Sequence, residues 1–125
     1  MLTTTGAFSG ISVDDQAAAL AFYRDTLGLP VDQTPMGLRL TLDGATVFLY
    51  EKGDHQPASF TVLNFEVLSI DAAVRELVEA GVTLERYPGM HQDDDGILRG
   101  KKANMGPDIA WFTDPAGNIL SVLEA

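Results

Sequence analysis

The chain has 125 residues, 46% of them apolar, which suffices for one domain around one core. Eighteen acids against eight bases leave a formal net charge of −10, and the one basic cluster (Arg99, Lys101 and Lys102) is too small to line a phosphate-binding groove, so nucleic acid is excluded as a partner. The absence of cysteine excludes disulfides, thiolate metal sites and cysteine nucleophiles, and no stretch reaches the roughly 20 apolar residues of a membrane span.

The first element is a short alternating strand from Ser9 to Val13. A helix follows over about Gln16 to Leu27, where Leu20, Tyr23 and Leu27 recur at three- and four-residue steps. Asp15 is its expected N-cap and Gly28 its expected stop. Gly37 to Thr41 and Thr46 to Tyr50 read as strands joined by a turn at Asp43-Gly44. A polar, turn-rich connector runs from Lys52 to Ser59. The order then restarts with a strand from Thr61 to Val67. A helix from Asp71 to Ala80 turns Ala73, Val74, Leu77 and Val78 toward the core and closes at Gly81. Thr83 to Tyr87 is expected as a strand, followed by a long loop from Pro88 to Pro107. The glycines of that loop suit either a mobile flap or a hairpin extension bracing a dimer. Two last strands, Ile109 to Thr113 and Asn118 to Leu123, flank a turn at Asp114-Pro115-Ala116-Gly117.

Strand, helix and strands therefore occur twice, with Val13 matching Val67, Gly28 matching Gly81, Gly44 matching Gly117 and Glu51 matching Glu124. Neither half can bury its sheet alone, and two packed halves can close around a cavity. The N-terminus carries no basic start and no long apolar run, so a soluble cytoplasmic protein is expected.

The run Ile11 to Gly28, with Ala-Phe-Tyr-Arg-Asp-Thr-Leu-Gly at its end, resembles the opening of vicinal-oxygen-chelate proteins. That superfamily includes glyoxalase I, bleomycin- and fosfomycin-resistance proteins and extradiol dioxygenases. Asp71 to Gly81 resembles its second helix, and Ala110 to Leu123 its last hairpin. The resemblance implies an α+β fold of two βαβββ modules forming a cupped mixed sheet, usually in a homodimer. Module one would span about 7–52, the connector 53–59 and module two about 60–125, all within a single domain at 1–125.

Metal-dependent relatives place His on each module's first strand and Glu or another donor on its last. The matching positions here are Phe8, Phe48, Val62 and Ser121. Phenyl and isopropyl groups have no lone pair, and a neutral serine is a poor sole ligand, so no metal and no other cofactor is expected. His55 and His91 fall in loops, and Asp93-Asp94-Asp95-Gly96 lacks the spacing of a calcium loop.

If Phe8 and Val62 face the cavity, strand alternation turns Ile11, Val13, Leu63, Phe65 and Val67 toward the helices. The cavity side then receives Gly10, Ser12, Arg39, Thr41, Phe48, Tyr50, Asn64, Glu66, Tyr87, Trp111 and Ser121. Candidate ligand-binding residues are Ser12, Arg39, Phe48, Tyr50, Asn64, Glu66, Tyr87, Trp111 and Ser121, an aromatic set with a few convergent polar groups. Trp111, Phe48 and Tyr50 would clamp a flat or cationic ligand; Arg39 and Glu66 would pair or address a charged one. The same aromatics would equally serve to fill the centre as solid core. Three functional readings follow: a metal-independent small-molecule binder acting by sequestration, a glyoxalase-like lyase or isomerase or dioxygenase-related enzyme with Glu66 or Tyr50 as general base, and a structural dimer with a filled core.

Overall fold

The computed structural model describes all 125 residues, which divide into two compact units, Met1–Pro57 and Ala58–Ala125. Each unit is one βαβββ module with a four-stranded mixed sheet and a helix on one face, an α+β architecture.

Module 1 comprises β1 (Ser9–Val13), α1 (Gln16–Leu20), β2 (Val31–Thr34), β3 (Gly37–Leu42) and β4 (Ala45–Glu51). Its strand order is β1-β4-β3-β2; β1 runs parallel to β4, and the other pairs are antiparallel. Asp15 caps α1 as expected, its carboxylate accepting from the Ala18 amide at 3.0 Å. The helix continues beyond Leu20 as a π-helical segment, Ala21–Thr26, with the Leu27 amide donating to the Phe22 carbonyl five residues back. Gly28 ends it at φ +71°, a conformation in which glycine carries no steric penalty.

Strand β2 escapes sequence inspection. As an edge strand it has one neighbour, its middle residues Asp32 and Gln33 are exposed, and no alternating pattern marks it. A Thr34-Pro35-Met36-Gly37 turn joins it to β3, with the Thr34 hydroxyl oxygen accepting from the Met36 and Gly37 amides.

Module 2 repeats the plan with β5 (Thr61–Glu66), α2 (Ile70–Glu79), β6 (Leu98–Arg99), β7 (Asp108–Thr113) and β8 (Ile119–Glu124), in the order β5-β8-β7-β6. Ser69 caps α2 at the position equivalent to Asp15, accepting from the Ala72 amide. Ile70, Ala73, Val74 and Leu77 are buried on α2, but Val78 is 57% exposed and does not join the core. The i, i+3, i+4, i+7 stripe is complete without it.

The expected strand from Thr83 to Tyr87 does not form. Only Glu85 pairs, its amide donating to the Trp111 carbonyl at 2.8 Å. Gln92 takes the place of a partner strand. Its side-chain amide donates to the Glu85 and Gly96 carbonyls, and its oxygen accepts from the Tyr87 amide. The long loop after it holds β6 and is tied down within its own module. Arg99 bridges Asp71 and Asp93, and Lys101 bonds Glu124. Gly100 lies against the Pro107 carbonyl, where a Cβ has no room.

The two registers match. Val13 stands opposite Glu51 across β1 and β4, and across β5 and β8 the same alignment sets Asn64 opposite Ser121, equivalent to Gly10 opposite Phe48. The internal repeat read from scattered identities is thus a repeat of backbone hydrogen bonding.

Candidate functional site

Each sheet has a helix face and an open face. In module 1 the helix face buries Ile11, Val13, Leu38, Leu40, Val47 and Leu49, as the alternation of β1 and β4 requires. The open face carries a cross-strand row of Gly10, Phe48, Arg39 and Asp32, and beside it Ser12 opposite Tyr50. Arg39 and Tyr50 are exposed and Phe48 is half-buried. Phe8 precedes β1 and is 72% exposed. The ring of Phe48 lies over Gly37, where a built Cβ would meet its Cζ at 2.9 Å and collide with the Leu49 carbonyl.

One partner on this face was not visible in the sequence. The Ser12 hydroxyl lies 2.7 Å from Nδ1 of His55, which is half-buried rather than a solvated loop residue. The Lys52–His55 turn, closed by the His55 amide donating to the Lys52 carbonyl at 3.0 Å, folds the imidazole back onto β1. The Lys-Gly-Asp-His run signals a turn, but not what the histidine lands on.

In module 2 the equivalent row is Asn64, Ser121 and Trp111. Ser121 is fully buried and donates to the Asn64 side-chain oxygen at 2.5 Å. The Trp111 indole N–H donates to the Thr61 hydroxyl at 3.1 Å, and Tyr87 meets its ring edge-on at 5.5 Å. Burial, helped by the nearby Glu85 carboxylate, pushes the Tyr87 phenol above its ordinary pKa. Glu66 is exposed, one row along from Asn64 and opposite Leu123. Neither Glu66 nor Arg39 takes part in an ion pair.

Strict alternation from Val62 does not hold. The register shifts between Thr61 and Leu63, so Val62 is the extra residue of a β-bulge. The bulge returns Thr61 to the Trp111 face, three residues before Asn64.

The metal-ligand positions implied by the sequence resemblance do not fit a divalent cation. Module 1 offers two phenyl rings, Phe8 and Phe48. Module 2 offers the isopropyl group of Val62 and the Ser121 hydroxyl already given to Asn64. No three His, Asp or Glu side chains gather in a metal-holding group elsewhere. No helix is long and apolar enough to cross a membrane.

Comparison with known proteins places this architecture. Solved structures that share it include the fosfomycin resistance protein FosX from Listeria monocytogenes (TM-score 0.69, 12% identity, 99% of this chain and 95% of that one). The antibiotic binding protein TnmS3 from Streptomyces sp. CB03234 is similar at TM-score 0.64 and 22% identity over 98% of both chains. A superfamily member from Sphaerobacter thermophilus is similar at TM-score 0.66 and 25% identity, over 96% of this chain and 98% of that one. A search of curated proteins finds no match. The family model described as Glyoxalase/Bleomycin resistance protein/Dioxygenase superfamily matches residues 5–122, nearly the whole chain, and the chain belongs to that superfamily.

Proposed function

We propose that this protein binds and sequesters a small aromatic molecule without a metal, its two modules acting as one domain in a cytoplasmic homodimer. The observation that carries the reading is the composition of the open faces. Where metal-dependent relatives hold donors, this chain has Phe8, Phe48, Val62 and Ser121, while aromatic and neutral polar groups stand around those positions. On the open face of module 1, Phe48 and Tyr50 offer ring surface; on that of module 2, the Asn64 amide N–H offers a neutral hydrogen bond and Glu66 a carboxylate to a basic substituent. The net charge of −10 draws cationic ligands and repels anionic ones. The fold likeness to an antibiotic binding protein supports the same direction.

The enzyme reading has less support. A metal-free general base is tuned by burial, yet Glu66 and Tyr50 are both exposed. Calorimetric titration with a panel of flat aromatic and basic drugs, alongside elemental analysis of the purified protein, tests the proposal. Saturable binding at one site per chain with no stoichiometric metal is the expected result. Stoichiometric zinc, nickel, manganese or iron, or no binding across the panel, overturns it.

A further inference from the structure

Methionine is ordinarily a core-filling residue, yet none of the methionine in this chain is inside. All four are exposed: Met1, Met36 in the turn between β2 and β3, and Met90 and Met105 in the long loop of module 2. The buried apolar set is Leu, Ile, Val, Ala, Phe, Tyr and Trp and holds no sulfur. The chain has no cysteine, and its single tryptophan, Trp111, is buried. The methionine thioethers are therefore the readily oxidised groups that solvent reaches.

Each internal methionine has its backbone held while its side chain meets solvent. The Met36 amide donates to the Thr34 hydroxyl oxygen at 3.2 Å, and the Met105 amide to the Gly100 carbonyl at 2.8 Å. The Met90 amide donates to the Tyr87 carbonyl at 3.1 Å, and the Met90 carbonyl accepts from the Gln92 amide at 3.0 Å. A sulfoxide at any of the three adds a polar oxygen on the solvent side and displaces no core side chain. Exposure grades them: 84% for Met105, 80% for Met36 and 47% for Met90.

We propose that Met36, Met90 and Met105 are the sites at which peroxides modify this protein, in an order set by their exposure and without loss of the fold. A sulfur lone pair attacks one oxygen of hydrogen peroxide; the S–O bond forms as the O–O bond breaks. The other oxygen leaves as hydroxide and takes the proton of the transferred oxygen to become water. Sulfur is oxidised and the peroxide reduced, and a methionine sulfoxide reductase returns the thioether. The inference stands apart from the small-molecule reading and uses none of its residues.

The experiment is graded hydrogen peroxide treatment of the full chain, read by peptide mass spectrometry and urea denaturation. One oxygen should appear on each of the three peptides. Met36 and Met105 should react at close to the rate of free N-acetylmethionine amide, and Met90 several-fold more slowly. The urea midpoint should hold, and reductase treatment should remove the oxygens. Gln92→Ala strips the side-chain bonds that fix the loop around Met90 and should bring its rate up to that of the other two. Met36→Leu and Met105→Leu, at exposed loop positions, should each delete one product and leave the rest unchanged. Oxidation of Trp111 or Tyr23 ahead of the methionines, or a midpoint that falls as oxygens accumulate, overturns the inference. So does protection of Met36 or Met105 by association of two copies, or a Met90 rate unmoved in a folded Gln92→Ala. Should that variant fold poorly by circular dichroism, the order of rates in the parent chain decides the matter.

Discussion

The two modules share one backbone plan but use it differently. In equivalent rows across the open faces, module 1 has Gly10, Phe48 and Arg39 where module 2 has Asn64, Ser121 and Trp111. Module 2 satisfies its row internally: Ser121 bonds Asn64, Trp111 bonds Thr61, and Tyr87 covers the indole. Module 1 leaves a glycine gap, an exposed Tyr50 and an exposed Arg39 without an ion pair. The same strand register therefore yields one row whose side chains bond one another and one row, Gly10, Phe48 and Arg39, whose side chains do not. Open backbone positions and exposed rings, rather than buried polar pairs, are what a ligand can use.

The sharpest way to break this contrast is to hollow out one face of each kind. Phe112 is fully buried on the helix face of β7 and stacks on Phe65 with centroids 6.4 Å apart. Phe112→Ala should cost about 3–5 kcal/mol in urea denaturation. Phe48→Ala, on the open face, should cost about 1 kcal/mol, in the range of partly exposed sites. Equal losses would mean that Phe48 is core and that module 1 has no open face.

Gly37→Ala comes next, at about 1–3 kcal/mol, because φ is +154° and a methyl group would strike the Leu49 carbonyl and the Phe48 ring. A similar loss, about 1–3 kcal/mol, is expected for Gln92→Ala, which strips partners from the Glu85 and Gly96 carbonyls and the Tyr87 amide. Hydrogen exchange should then rise first at Glu85 and Tyr87 and leave module 1 unchanged.

The acid response separates the modules through Arg99. Hydrogen bonding to the Arg99 guanidinium holds the Asp71 carboxyl below its ordinary range; for Asp93, hydrogen bonds from Ile97, Asp95 and Arg99 outweigh a burial penalty and have the same net effect. Lys101 and the Ile70 amide likewise lower Glu124. Groups whose folded pKa is depressed stabilise the fold above their unfolded pKa, and that contribution disappears as pH falls through the folded value. Urea midpoints measured from neutral pH down into the acid range should therefore drop, and Arg99→Gln should flatten the drop. A profile unchanged by Arg99→Gln would remove this network from the account of the loop. The exposed Arg24–Asp25 and Lys52–Asp54 pairs of module 1 should add little, since solvent-facing pairs are screened. The smallest expected effect is that of Gly10→Ala, within about 0.5 kcal/mol of the parent, because its methyl group meets only Tyr50 at ordinary contact distance. A large loss there would show that the fold needs glycine at this position.

Local chemistry made the helices and the inner strands readable. Asp15, Gly28 and Gly81 announce helix ends through capping and positive φ. Ile11 with Val13 and Val47 with Leu49 announce inner strands through alternation. Elements whose pairing is not written in their own pattern were misread. Strand β2 is polar and at an edge, and Thr83 to Tyr87 looks β-prone but pairs only through Glu85 with Trp111 and is otherwise held by the Gln92 side chain. Of the site, the face shared by Ser12, Phe48, Tyr50 and Arg39 followed from period-two alternation. His55 did not, because a loop residue's contacts depend on where the turn delivers it.

By itself, the sequence determined the repeated order of strand, helix and strands and the core faces, which depend on periodicity, while the βαβββ count and the four positions Phe8, Phe48, Val62 and Ser121 came only through the family resemblance. Only the tertiary structure decided the bulge at Val62, the pinning of the long loop by Gln92 and Arg99, and the meeting of Ser12 with His55. Those features aim a loop side chain at a group outside the regular elements or shift a strand by one position, and no periodic pattern encodes contacts of that kind.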